Sequence, residues 1–263
     1  MNATNQIFSW KRYTAALRKE CVENRLVLLL CIAAMFILCL AMLYSTNMIM
    51  GTRHQEIARA TCVYDIVIGF YLFSAIVPSL AFSQLTHKTG RVELFSLPNS
   101  TTEKFAVRVT IYFIGFVVAY AVCVQLADWV RYAFVNQTVP PDNLIEAIKM
   151  SWDPDLCREK TIPSMINYMH IAPFFLMGSI VWPRWSVLKS FLASIVVSAI
   201  EMAIIYGLVG FVFGGDLDWE SMKDSSLVMK MDVVFNIILI VGSLMLGWYL
   251  LKRKDIVSRK WWK

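Results

Sequence analysis

Charged side chains are scarce in this sequence, at 17% of its 263 residues. A soluble domain carries about a quarter, whereas 58% of this chain is apolar. The charged residues are also clustered, and long uncharged runs separate the clusters. This scarcity excludes an ordinary soluble domain and places the chain in the membrane class.

The sequence also lacks the short motifs of several enzyme classes. It has no GxxxxGK[ST] loop to hold nucleotide phosphates, no HExxH zinc pair and no GxSxG nucleophile elbow. The segment HQEIA at His54 lacks a second histidine one helical turn on, so no metal site is predicted. We therefore predict that the chain is not an enzyme and holds no cofactor of its own.

Cysteine provides no disulfide framework. Among the six cysteines, only Cys62 and Cys157 could meet on the outer side of a membrane, because the others lie in apolar runs or among cytoplasmic residues. No CxxC or Cys/His spacing indicates zinc. A disulfide between Cys62 and Cys157 stays an open alternative.

Six apolar runs are long enough to cross a bilayer core of about 30 Å, which takes about 20 helical residues. Because backbone groups in lipid must bond within their own segment, each run is predicted to be a helix. The sequence therefore predicts an all-α, polytopic membrane protein whose residues 1–263 form one transmembrane domain. The spans lie near 26–44, 63–82, 107–127, 164–182, 187–213 and 231–251, with an inner loop at 83–106 and an outer loop at 128–163.

The positive charges predict the orientation. If the N-terminus is cytoplasmic, 17 of the 25 Lys and Arg residues fall on the cytoplasmic side. Since positive residues concentrate on that side, both termini are predicted to be cytoplasmic. The net charge of +6 then follows from topology, and no nucleic-acid partner is predicted.

An amphipathic helix is predicted before the first span, over residues 5–24. Ile7, Trp10, Leu17 and Cys21 repeat at helical spacing, with Arg12 and Lys19 on the opposite face. This pattern is typical of a helix on the inner leaflet that contacts lipid headgroups. The alternative is a plain positive flank that only fixes the orientation.

Two polar residues within the predicted spans are candidate functional residues. Glu201 lies near the middle of the fifth span, where a carboxyl costs about 2–4 kcal/mol unless it is protonated, paired or facing water. His170 in the fourth span, near Pro173, is a candidate partner. We expect these two residues to line a pathway or an interface between helices; a packing role is the alternative.

The segment STTE from Ser100 to Glu103 is a capping box, because each of these residues can bond the other's backbone N–H. Pro98 discourages helix upstream. The helix is predicted to run from Thr101 to about Asp128, longer than the hydrocarbon core. Its first two turns are therefore expected to project into the cytoplasm.

The run FSQLTHKTGRVELFSLPNSTTEKF resembles the inner loop of ABC-transporter permeases of the exporter (type 2) class, as found in Bacteroidetes. In that family an LPxSxxEKF-like run precedes the third span. The resemblance implies a separate ATPase subunit that binds ATP and Mg, a second permease chain, and a bacterial cytoplasmic membrane. It also implies that a short helix in this loop docks the ATPase, with coupling residues Lys88, Arg91, Leu97, Pro98, Ser100, Glu103, Lys104 and Phe105.

A non-transport role is the main alternative, as a sensor, immunity factor or assembly scaffold. A capped helix start is needed under either hypothesis, so the capping box does not separate them. The sequence lacks the paired helix interruptions and internal symmetry that secondary transporters show. The expected function is thus a permease subunit, with no substrate specified.

Overall fold

The computed structural model describes residues 8–50, 55–96, 99–134, 140–152, 165–213 and 226–260, and these residues include no strand. They form ten α-helices, one 3-10 turn at Ser83–Thr86 and one π-helical segment at Thr110–Gly115. The helices are α1 Trp10–Glu23, α2 Arg25–Met50, α3 Gln55–Ser79, α4 Lys88–Ser96, α5 Thr101–Val109, α6 Phe116–Phe134, α7 Asn143–Trp152, α8 Met165–Val181, α9 Ser186–Phe213 and α10 Ser226–Lys260.

Five stretches of helix are long and apolar enough to cross a membrane. They lie in α2, in α3, in the continuous helix from α5 to α6, in α9 and in α10. A shorter apolar stretch, His170–Val181, lies in α8. The all-α class and the multi-pass membrane composition are thus confirmed.

The helix of the third predicted span is longer than expected. It continues from Thr101 to Phe134, which is 34 residues, or about 51 Å at 1.5 Å per residue. The π-helical segment lies within it, between α5 and α6. The Thr110 hydroxyl in this segment donates to the Ala106 carbonyl and bonds the Tyr13 hydroxyl of α1 at 2.7 Å.

The core lies between α2, α3 and α6. Tyr120 of α6 is buried, and its hydroxyl donates to the Ile66 carbonyl of α3 at 2.7 Å. Phe70 and Phe116 stack with their ring centroids 5.7 Å apart. These contacts join α6 to α3 and hold the two helices together.

The N-terminal helix is shorter than the predicted range of 5–24, since the described helix begins at Trp10. Residues 1–7, including Ile7 of the predicted apolar face, lie outside the described residues. Trp10 is 70% exposed and Cys21 is exposed, whereas Glu20 is buried. Trp10 and Cys21 of the predicted apolar face therefore point away from the bundle together with Lys11 and Arg18, whereas Glu20 contacts it.

The predicted inner loop contains α4, which packs on the 3-10 turn before it. Gly90 of α4 allows a close approach: a Cβ atom there would lie 2.5 Å from the backbone oxygen of Gln84. Leu94 is buried on the same side. Thr86 of the turn donates to the Pro183 carbonyl at 3.0 Å, which fixes the turn to the connection between α8 and α9.

Candidate functional site

The predicted capping box is present at the start of α5. The Glu103 N–H donates to the Ser100 hydroxyl at 3.2 Å, and the Ser100 N–H donates to the Glu103 carboxylate at 2.9 Å. The carboxylate also accepts from the Ser9 N–H at 2.7 Å and forms an ion pair with Arg12 at 3.1 Å. One carboxylate therefore caps α5 and holds the start of α1 against it.

The first turns of α5 are covered by neighbouring helices, and their position in the cytoplasm stays a prediction. The exposed fractions of Glu103, Lys104 and Arg108 are 0%, 4% and 2%. These side chains are covered because α1 and α10 both pack on α5. We call Glu103, Lys104, Phe105 and Arg108 the α5 cluster.

Arg108 has the most varied contacts of this cluster. Its guanidinium donates to the Gln84 side chain at 2.8 Å and to the Ala81 carbonyl, and it pairs with Glu20 of α1 at 2.8 Å. It also lies 5.6 Å from the centre of the Phe82 ring. Arg108 thus joins α1 to the end of α3 and the 3-10 turn.

Glu20 of α1 lies outside the membrane-spanning helices and forms a buried ion pair with Arg108. Burial raises the pKa of its carboxyl above the usual value of 4.5, although the charge of Arg108 opposes this shift. The folded chain therefore holds a proton on Glu20 more tightly than the unfolded chain does.

Lys104 and Phe105 extend the α5 cluster to α4 and α10. The Lys104 ammonium lies 5.7 Å from the centre of the Phe95 ring of α4. The Phe105 ring stacks on Phe82 at 6.4 Å, and a Cβ atom on Gly247 of α10 would lie 3.4 Å from it. The cluster thus connects α1, α4 and the end of α10.

Only part of the predicted coupling set is accessible. Lys88 and Arg91 are exposed on α4, next to Val92, which is 51% exposed. Leu97 and Pro98 lie outside the described residues. The surface available to a partner at this end is therefore α4, whereas Glu103, Lys104 and Phe105 face the interior.

Glu201 and His170 line the same cavity, and their role in a pathway or an interface stays a prediction. The cavity has a volume of about 1100 Å³ and lies between α3, α8 and α9. Asn236 of α10 lines it as well and is almost fully buried. Sequence reasoning missed Asn236; an amide within an apolar run was the available signal.

A second charged cluster lies where α6 meets α7, and we call Asp128, Arg131 and Asn143 the α6–α7 cluster. All three side chains are fully buried. Arg131 donates to Asp128 at 2.7 Å, and the Asn143 side chain donates to both Asp128 oxygens at 3.0 Å. This cluster fixes the start of α7 after Pro140 and Pro141.

Arg59 of α3 adds an exposed contact to α7, through ion pairs with Asp142 and Glu146. Cys62 of α3 is buried, and Cys157 lies outside the described residues, so a disulfide between them stays an open alternative. Within the part of the chain that the structure describes, no group of three or more His, Cys, Asp or Glu residues could hold a metal.

Comparison with known proteins gives no match: no protein-family model, no curated protein and no solved structure matches this chain.

Proposed function

We propose that the chain is the membrane-spanning permease subunit of an ABC transporter, driven by a separate ATPase subunit. The observation that carries this proposal is α4, a short exposed helix tied to the ends of several spans. The run that resembles the inner loop of ABC permeases contains α4 and also the capping box at Ser100 and Glu103. A non-transport scaffold needs no such exposed element between two spans.

The contacts of α4 provide a route for mechanical coupling. Gly90 seats α4 on the 3-10 turn, and Thr86 of that turn bonds the α8–α9 connection at Pro183. Phe95 of α4 contacts Lys104 of the α5 cluster. Because packed elements move as units, a push on α4 would reach α5, α8 and α9 together.

The proposed topology has six spans, with α8 as the fourth and both termini in the cytoplasm. Ser9 before α1 and Trp248 near the end of α10 both contact the start of α5, through Glu103 and Thr102. An even number of crossings brings the two ends of the chain to one side. The positive residues of α1 and α4 favour the cytoplasm as that side.

The remaining parts of the proposal concern partners. The ATPase subunit would bind ATP and Mg, and a second permease chain would complete the transporter in a bacterial cytoplasmic membrane. The exposed face of α1, with Trp10 and Val22, would contact lipid at the inner surface. The cavity that holds Glu201 and His170 is the candidate part of the pathway in this chain.

The test is co-purification of an ATPase with the tagged chain from its host membrane. Lys88→Glu with Arg91→Glu reverses two exposed charges on α4 and should release the ATPase while leaving the fold intact. The matched control, Lys11→Glu with Arg18→Glu, reverses two exposed charges on α1 and should retain it. If no ATPase accompanies the unaltered chain, the permease proposal fails and the non-transport alternative leads.

A further inference from the structure

The cavity between α3, α8 and α9 has a chemistry that goes beyond a generic pathway. Along α9 it extends from Ser186 to Glu201, about 22 Å at 1.5 Å per residue. Its volume of about 1100 Å³ lies just above the range of about 300–1,000 Å³ for sites that bind a drug-sized molecule. The cavity is therefore large enough to hold a bulky organic molecule.

Most of the lining is apolar or aromatic. Tyr71 of α3, Phe175 of α8 and Phe191 of α9 contribute aromatic rings, and isoleucine and leucine side chains of α3 cover much of the remaining wall. Such a wall favours an apolar ligand body. The rings can also stabilise a cation placed over their faces.

The polar groups are unevenly distributed. His170, Glu201 and Asn236 come from three different helices and line the same cavity. Glu201 is the only acidic side chain, and neither lysine nor arginine occurs, among the described lining residues. Since a charge in an apolar site needs an opposite charge nearby, this set of residues favours a cationic ligand over an anionic one.

We propose that this cavity is a binding site for an organic cation with a bulky apolar body, and that Glu201 is the residue that selects its charge. The apolar body lies against the α3 and α9 walls, and the positive charge lies toward Glu201. Binding needs this chain alone. The extension that such a cation is the transported cargo rests on the proposed function.

The test uses two probes of matched shape and opposite charge, tetraphenylphosphonium and tetraphenylborate. Their binding to the purified chain is measured by calorimetry in a nonionic detergent, with detergent alone subtracted. We expect the cation to bind at least about tenfold more tightly than the anion, and Glu201→Gln to remove that preference. Glu23→Gln, on the exposed side of α1, is the matched control and should preserve it.

A second measurement locates the probe. Ser194 and Ser198 also line the cavity, so Ser194→Cys or Ser198→Cys places a thiol in it; Cys21→Ser removes the exposed thiol among the described cysteines. Tetraphenylphosphonium should slow maleimide labelling at either position, and a chain without the added cysteine gives the background.

Two results would overturn the site: equal binding of both probes by the unaltered chain, or undiminished cation binding by Glu201→Gln. Absence of binding by either probe would overturn it as well. Because no ATPase takes part in these measurements, their failure is distinguishable from failure of the permease proposal.

Discussion

The α5 cluster and the α6–α7 cluster occupy opposite ends of one helix and use the same chemistry in different ways. Each buries an acid beside an arginine and adds backbone or amide donors. In the α6–α7 cluster the hydrogen-bonded residues are 3 to 15 positions apart in the sequence. In the α5 cluster, Ser9 reaches Glu103 across 94 residues.

The two clusters therefore have different roles: one stabilises a single connection between helices, and the other stabilises the packing of several helices. The α6–α7 cluster closes the turn before α7, so it affects one connection. The α5 cluster joins α1, α4 and the ends of α3 and α10, so it forms only when most of the chain has assembled. Substitutions at the two ends should therefore differ in how far their effects spread.

The largest effect is expected at Arg108. Arg108→Met leaves Glu20 buried without its cation and the Ala81 carbonyl without its donor, a loss of about 3–5 kcal/mol. The midpoint of thermal unfolding in detergent, followed by circular dichroism, measures the change. The loss should be smaller at about pH 5 than at about pH 8, because the isolated Glu20 can then bind a proton.

Arg18→Met is the matched control, because Arg18 is exposed on α1; its midpoint should stay near that of the unaltered chain. Equal midpoints for the two variants would contradict the assembly role of the α5 cluster.

A smaller and more local effect is expected at Arg131. In Arg131→Met, Asp128 keeps both bonds from Asn143, so the loss should be about 1–3 kcal/mol. Hydrogen exchange should increase in α7 and in the end of α6, with α1 and α4 unchanged. Exchange that increases throughout the bundle would show that the α6–α7 cluster is not local.

The smallest effect concerns the pH dependence of Glu20. Because burial raises its pKa above 4.5, the folded chain binds this proton more tightly than the unfolded chain. Its contribution to stability is then complete below about pH 4.5 and is lost as the pH rises through the raised pKa. Glu20→Gln should flatten this part of the stability profile.

Glu93→Gln, exposed on α4 and not among the charges that shift the pKa of Glu20, is the matched control and should leave the profile of the unaltered chain in place. If the stability of Glu20→Gln and of the unaltered chain changes with pH at the same slope, the buried pair of Glu20 and Arg108 does not control that slope.

Features that depend on nearby residues were predictable from the sequence. The Ser100–Glu103 capping box is a local pattern, and both of its hydrogen bonds are present. The predicted fifth span at 187–213 differs from α9 by one residue at its start, because an apolar run and its flanks define such a helix.

Features that depend on distant residues were not predictable in this way. The capping role of Glu103 follows from its neighbours, but its burial depends on Ser9 and Arg12, far away in the sequence. Arg131 follows Asp128 at helical spacing, but the buried position of both side chains also depends on Asn143, which lies beyond the end of α6. Glu201 and His170 were recognised as polar residues within apolar spans, whereas Asn236 of α10, which lines the same cavity, was missed.

The π-helical segment at Thr110–Gly115 also has a consequence for reading the sequence as a helical wheel. A π-bulge adds one residue to a turn, and one residue corresponds to a rotation of roughly 100°. A helical wheel drawn continuously through α5 and α6 therefore places the side chains of one half of the helix on the wrong face. Deleting a single residue from this segment would turn Asp128 and Arg131 away from α7 while leaving the α5 cluster in place, so the two halves of this helix have separate angular phases.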